Sequence, residues 1–598
     1  MSNAGGVRKG VGLFALVCLL VLTGCASLPE SSAPQALGTI EREPTSAGPP
    51  PPEPGRDPDL LVGDFLGASA DPANRHAAAR QYMRDDTAGE WNDEASITIV
   101  DRPDTLRESR TGDRATYVVR ARKVGELSRD GVYRATDGML ENKIEMSKVD
   151  GEWRITDLPD GVVMASASFA STYQRYVLYY FDSTSQLLVP DPRWLSVPRG
   201  QLTERLVGLL SGGPQSAIAG VVRNLLAPPT AVRSPIIKAE NDPGEVGVGI
   251  GGVRIDFGGI GTLDQRGREL LAAQVVTTLS RADILGPYVL LADGKPLDER
   301  FASGWSVADV DQFSAAAPGG NKIGLHALRN GTLVQVTPDG IVAPSGAFGE
   351  ATNLQSVGIS SDGQFVAAVA DTGRPAPEPG RTLLIGNYGA GAFGVVEAAS
   401  IARPSWTMDG GAAWTVLDEQ RVVRAVTDRA TGNVSLQDVD TAGLFEGAGA
   451  PRLPITEVVV SRTGVRAALI ADGKVYVAVI ERRPDGKYAL TSALPVAIGL
   501  STPAVSLSWI TGDTLMVARE GNVDPVFTVS IDGSQFTPVT SQNLTPPVRV
   551  VTATQSTQYV ADSRAVLQLQ TADPTRTDRF WREVPGLTGE GVVPVLPT

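Results

Sequence analysis

Ile359-Ser360-Ser361-Asp362-Gly363-Gln364-Phe365 is a polar turn opening into an apolar strand, and the same pattern recurs through the C-terminal half of the chain. The matching segments are Trp406-Thr407-Met408-Asp409-Gly410, Val460-Ser461-Arg462-Thr463-Gly464, Trp509-Ile510-Thr511-Gly512-Asp513 and Ala553-Thr554-Gln555-Ser556-Thr557. With residues 362, 409, 463, 512 and 556 taken as equivalent, the intervals are 47, 54, 49 and 44 residues. Blades of β-propellers run to roughly 40–50 residues. Residues 315–598 hold just under six such repeats, so this region is expected to be an all-β propeller of about six blades. Two β-sandwiches are the alternative, and the steady phase favours the propeller. Asn330-Gly331, between the apolar runs 323–328 and 332–336, supplies a hairpin for an early blade. Six Asp-Gly pairs, from Asp339-Gly340 to Asp532-Gly533, lack the alternating acidic ligands of a calcium loop and read as turns.

Two α+β units precede the propeller. Residues 58–164 open with a helix carrying Leu60, Leu61, Val62, Phe65 and Leu66 at helical spacing, and a second helix follows Asp71-Pro72 through His76 to Met83. Strands come next, over 95–100, 115–121 and 143–149, the last turning at Asp150-Gly151 into Glu152-Trp153-Arg154-Ile155. Helices followed by a strand meander predict a small curved sheet wrapped on helices, of the cone-like (NTF2-like) type. Residues 165–312 alternate strand and helix. Tyr176–Phe181 leads to Leu187-Leu188-Val189-Pro190. A helix follows with Leu202, Leu206, Leu209 and Leu210 on one face, then the strand Val253–Phe257, a helix through Leu270 to Leu279, and the strand Tyr288–Leu291.

The N-terminus reads as an export signal. Arg8 and Lys9 precede the apolar run Val11–Leu22, about the length of a signal-peptide core and too short to span a bilayer comfortably. The run ends in Leu22-Thr23-Gly24-Cys25, the pattern of a bacterial lipobox, in which small residues admit the peptidase and the thiol of Cys25 takes the diacylglycerol. Residues 1–24 are therefore expected to be removed, leaving Cys25 lipidated at the new N-terminus. Of the two cysteines, Cys18 leaves with the signal, so no disulfide, Cys-based metal site or thiol nucleophile is expected. Residues 25–57 form a Pro-rich tether; nine prolines lie between Ala26 and Pro58, with almost no large apolar residues. Such a composition yields a semi-extended spacer, able to hold the first domain several tens of ångströms from the bilayer.

Composition narrows the function. The chain carries 53 basic and 67 acidic residues, a net charge of −14; loss of Arg8 and Lys9 makes the mature form about −16. A bulk acidic field does not attract nucleic acid or anionic headgroups, so membrane attachment falls to the acyl chains, and more than one is needed for a stable anchor. The only histidines, His76 and His326, read as packed residues of a helix and a strand rather than as bases. Gly247-Val248-Gly249-Ile250-Gly251-Gly252 matches Gly-x-Gly-x-x-Gly in form, but dinucleotide binding needs a helix next and a strand follows. No Gly-x-Ser-x-Gly elbow occurs. No catalytic, cofactor-binding or metal-ligating residue is expected.

The order of parts resembles the LpqB family of actinobacterial lipoproteins. The resemblance rests on Phe65-Leu66-Gly67-Ala68-Ser69-Ala70-Asp71, Arg75-His76-Ala77-Ala78-Ala79-Arg80-Gln81 and Trp91 in the first domain. In the second, which is similar to a GerMN domain, it rests on Tyr179-Tyr180-Phe181, Leu187–Pro190, Leu209–Pro214, Val253–Phe257 and Asp293-Gly294-Lys295-Pro296-Leu297. It implies N-palmitoyl and S-diacylglycerol groups on Cys25 and a lipid-anchored place on the extracytoplasmic face of the cell membrane. It further implies a non-enzymatic accessory role: binding the extracytoplasmic sensor region of an Mtr-type histidine kinase and influencing cell-wall and cell-division signalling. Two other functions fit the composition: a glycan or small-ligand receptor using the propeller, and, less well supported, an envelope glycan-cleaving enzyme. Metabolic labelling with a fatty acid tests the anchor. Cys25→Ala should abolish incorporation, and Cys18→Ala should leave it intact.

Overall fold

The computed structural model describes residues 49–240, 246, 249, 251–315, 323–428, 431–445, 452–571 and 578–597. The signal peptide, the lipobox and the tether up to residue 48 lie outside the described residues. Pro50–Thr598 forms one compact unit, and no described helix is long and apolar enough to cross a membrane.

In the first domain, α1 (Pro58–Ala68) starts at Asp57, whose carboxylate accepts from the Asp59 N–H, with Pro58 in the first turn. Its face of Leu61, Val62, Phe65 and Ala68 is buried. The short helices α2 (Ala73–Arg80) and α3 (Asp85–Glu90) follow. The strands β1 (Ile97–Arg110), β2 (Arg114–Leu127), β3 (Tyr133–Val149), β4 (Glu152–Asp157) and β5 (Val162–Ala165) form one sheet in the order β4-β3-β2-β1-β5. Only the β1–β5 pair is parallel. Three register shifts interrupt the β1–β2 ladder, each a point where the sheet can bend. Asp150 and Gly151 turn β3 into β4 with φ of 52° and 86°, as a two-residue hairpin requires.

The boundary expected at residue 58 is corrected. Residues 50–57 pack on this domain: the Pro50 carbonyl accepts from the Tyr82 hydroxyl at 3.0 Å, the Gly55 N–H donates to Glu152 at 2.7 Å, and Arg56 pairs with Asp64 at 2.8 Å. Proline-rich composition signals only that a segment cannot fold alone. These residues need no core of their own, because the domain surface offers them polar partners.

The second domain runs α4 (Ser166–Thr172), β6 (Gln174–Asp182), β7 (Leu188–Leu195), α5 (Leu202–Gly212), β8 (Val222–Arg223), β9 (Ala231–Ile237), β10 (Val253–Gly258), α6 (Gln265–Ser280), β11 (Tyr288–Ala292) and β12 (Lys295–Pro296). Its sheets are β7-β6-β8 and β12-β11-β10-β9. Asp264 caps α6 by accepting from the Gly267 N–H at 2.7 Å. Gly213, at φ 97°, ends α5 where a side chain would be strained. Both α+β expectations are met.

The third domain has six four-stranded blades among the described residues. Their inner strands are Val593–Val595, Leu354–Ile359, Ser405–Trp406, Ile455–Val460, Ala504–Thr511 and Val550–Ala553. The five sequence repeats fall at the turn after the inner strand in blades two to six. Blade one lacks the repeat for a topological reason: its inner strand is the C-terminal Val593–Val595, paired antiparallel to His326–Arg329, and this pairing closes the ring. Several second strands are covered on both faces by neighbouring blades; all six residues of Ala412–Leu417 and of Arg466–Ala471 are buried. Trp406 donates to the Gly358 carbonyl and Trp509 to that of Val459, both at 3.0 Å, so equivalent tryptophans bond adjacent blades.

Strand β7 joins the three domains. All eight of its residues are buried, including Asp191 and Arg193, which pair at 2.8 Å. Asp191 also accepts from the backbone and side-chain amides of Gln215, at 3.0 and 2.9 Å. The Trp194 N–H donates to Gly131 of the first domain at 2.7 Å, while its indole N–H donates to Asp532 of the propeller at 3.2 Å. From β6, Arg175 reaches Asp513 at 2.9 Å. Buried Arg466 of blade four lies in the field of Asp191 and Asp513. Gly533, at φ 73°, sits where a Cβ would meet Ala135 of the first domain at 2.6 Å. Asp191→Ala leaves buried Arg193 only the longer pair with Asp130, at 3.9 Å, and should cost about 3–5 kcal/mol. Arg421→Ala removes the exposed pair with Asp438 and should cost less than about 1 kcal/mol. Urea unfolding of the two variants checks the contrast.

Candidate functional site

The axis of the propeller, where a receptor of this fold would hold a small ligand, is occupied by protein. Arg403, two residues before the inner strand of blade three, extends its guanidinium across to three other blades. It donates to the Val551 carbonyl of blade six at 3.2 Å and to the Leu507 carbonyl of blade five at 2.8 Å, and it pairs with Glu457 of blade four. Glu457 is buried and accepts in turn from the Leu507 N–H at 2.9 Å. One cation thus ties four blades together, and its charge is answered by Glu457. Sequence reading missed this pair because its members are 54 residues apart and neither belongs to the repeated turn.

Cys25 and the lipobox residues Leu22, Thr23 and Gly24 lie outside the described residues, so their geometry is not part of the site. The other sequence-marked residues have packing roles. His76 is buried, with Nδ1 2.9 Å from the Ser69 carbonyl and its ring edge-on to Trp91. His326 lies in a blade-one strand, with Nε2 2.8 Å from the Tyr388 hydroxyl. Burial lowers the pKa of both imidazoles and favours the neutral form. The glycine-rich segment ending at Gly252 runs directly into β10. A Cβ on Gly252 would lie 2.6 Å from Ala239 and from the Pro287 carbonyl, so this glycine serves chain packing. The glycines of all six Asp-Gly pairs have positive φ, as turns require. Asp532 does more than turn the chain, since the same carboxylate receives the Trp194 indole.

The family-like stretches of the first domain converge on Trp91. Phe65 and His76 meet it edge-on, and Arg80 lies 5.1 Å over its ring. Between them, Asn74, Arg75 and His76 have φ of 49°, 59° and 53°, in place of the right-handed helix expected through this segment. Left-handed backbone at three consecutive non-glycine residues costs of order 1–3 kcal/mol each. Along this run His76 packs against Trp91 while Arg75 keeps 69% of its side chain exposed.

Arg75 stands at the rim of a cleft of about 530 Å³ between the first and second domains. The lining includes Arg75, His76, Glu94, Arg129, Trp194 and Arg205. The volume lies in the range of small-ligand sites. It exists only because β7 holds the two domains together, so no local pattern in the sequence announces it.

Models of three families match the chain in order: the N-terminal domain of lipoprotein LpqB over residues 51–170, a sporulation and spore germination domain over 177–298, and the β-propeller domain of lipoprotein LpqB over 331–597. A protein of Nocardia farcinica named lipoprotein LpqB is 64% identical over 601 residues, covering 100% of this chain and 99% of the relative. The chain belongs to the LpqB lipoprotein family. Proteins of the same name from Rhodococcus jostii and Mycolicibacterium paratuberculosis are 50% and 41% identical, each with 99% of this chain covered and with 98% and 100% of their own length. The protein is accordingly a membrane-anchored envelope lipoprotein with a propeller domain.

The axial clamp can be tested directly. Arg403→Ala leaves Glu457 buried without its cation and should destabilise the propeller by about 3–5 kcal/mol. The double variant Arg403→Met, Glu457→Leu removes both charges and should recover most of that loss, as read from denaturation midpoints.

Proposed function

We propose that the chain is a non-enzymatic accessory regulator. Held on the extracytoplasmic face through lipidated Cys25, it binds the extracytoplasmic sensor region of an Mtr-type histidine kinase. The observation that carries the reading is the closed propeller axis. With Arg403 paired to Glu457 of the next blade and bonded to the inner strands of blades five and six, the surfaces left for recognition are the outer faces of the three-domain body, which suit a protein partner better than a glycan threaded into a channel. Family membership supports the same reading. A tether confines the body to the membrane plane, where effective concentration makes a weak contact productive. Regulation then requires only unequal affinity for the kinase's two states; a difference of about 1.4 kcal/mol gives a tenfold shift.

The experiment is calorimetry of the mature protein with the sensor region, followed by co-reconstitution of both proteins in vesicles to follow autophosphorylation. Binding in the micromolar range that weakens with salt is expected, given the acidic surface. Cys25→Ala should retain that binding and lose the effect on phosphorylation in vesicles. Absence of binding at tens of micromolar, with phosphorylation unchanged, would overturn the proposal.

A further inference from the structure

We infer that the cleft between the first and second domains is a binding site for a small oxyanion, a carboxylate or phosphate group gripped by Arg75 and Arg205. Three guanidinium groups line it in a protein whose net charge is −14. Asp93 and Glu94 line it as well, and Arg205 alone of the three has no carboxylate partner among the described residues. Arg129 pairs with Glu94. Asp93 already has a closer and better shielded partner than Arg75, since Arg80 meets it at 2.6 Å with 18% of its side chain exposed. Arg75 touches the same carboxylate oxygen at 3.1 Å and keeps 69% of its side chain exposed. Arg205 donates only to the Arg129 carbonyl, at 3.2 Å, and forms no ion pair among the described residues. Two cations with unused donors therefore face one concave site, and a guanidinium presents paired donors in the geometry that carboxylate and phosphate accept. The left-handed run at Asn74, Arg75 and His76 accompanies this placement of Arg75. It is strain held at the one place that carries Arg75 to the rim, and such strain clusters at ligand clamps. The floor is positioned to report occupancy, because Trp194 lines the cleft while its indole N–H bonds Asp532 of the propeller.

Citrate and inorganic pyrophosphate are the probes, titrated separately into the mature protein and followed by calorimetry and tryptophan emission. Saturable binding of at least one probe is expected. Citrate alone would assign carboxylates, and pyrophosphate alone would assign phosphates. The double variant Arg75→Gln, Arg205→Gln should weaken binding about tenfold or more. Arg120→Gln, which breaks an exposed pair with Glu141 on the same domain, should leave it unchanged. No saturable binding of either probe, or equal affinity in the double variant with an unchanged melting profile, would overturn the inference. The kinase reading is measured separately, and either can fail alone.

Discussion

The arrangement of the domains depends on one buried strand, β7, and the charges it carries into the interior. Taking Asp191 and Arg193 out of water is costly, and their pairing, completed by the two Gln215 amides, offsets that cost only at one geometry. Apolar residues of the same size would stabilise the interface about as well. They would not specify its orientation, because apolar contact is non-directional. Arg175, Asp513, Arg466, Asp532 and Trp194 extend the network to the propeller, so the registry chosen at β7 decides how both neighbours sit.

The propeller solves its own closure in two ways. In blade one, the last strand of the chain supplies the inner strand, which removes a free edge that could pair with another chain. At the axis, Arg403 collects a carboxylate and two carbonyls from three other blades. Blades three and four are joined further by parallel pairing of their outer strands at Val439–Tyr488 and Asp440–Ala489. Nearby, Arg424 stacks 3.6 Å from the Tyr488 ring centroid. The result is a stiff body whose surfaces, rather than its interior, are available for recognition.

Electrostatics separates these surfaces. The chain carries a net charge of −14, so its long-range field as a whole repels anions. The cleft beside β7 departs from that field, because Arg75 and Arg205 are presented without full neutralisation. A local cationic site in an acidic protein discriminates among anions by geometry, since the long-range field does not draw them in.

Much of the fold was legible without coordinates. Blade number follows from a repeat set by turns at nearly constant spacing, and turns are local: Asp409-Gly410 or Asn330-Gly331 adopts its conformation for reasons contained in a few residues. The helix faces of α1, α5 and α6 and the hairpin at Asp150-Gly151 are local in the same sense. The ordering of residues 50–57, the left-handed turn at Arg75, the burial of Asp191 and Arg193, the Arg403–Glu457 clamp and the cleft itself were not legible. Each depends on groups distant in sequence meeting across domains or blades: Trp194 and Asp532 are 338 residues apart, and Arg403 and Val551 are 148. Short-range propensity determined which elements form and how often they repeat. Only the tertiary structure decided which charges are buried together and which are left facing a ligand, because the energy of a charge depends on what surrounds it in space.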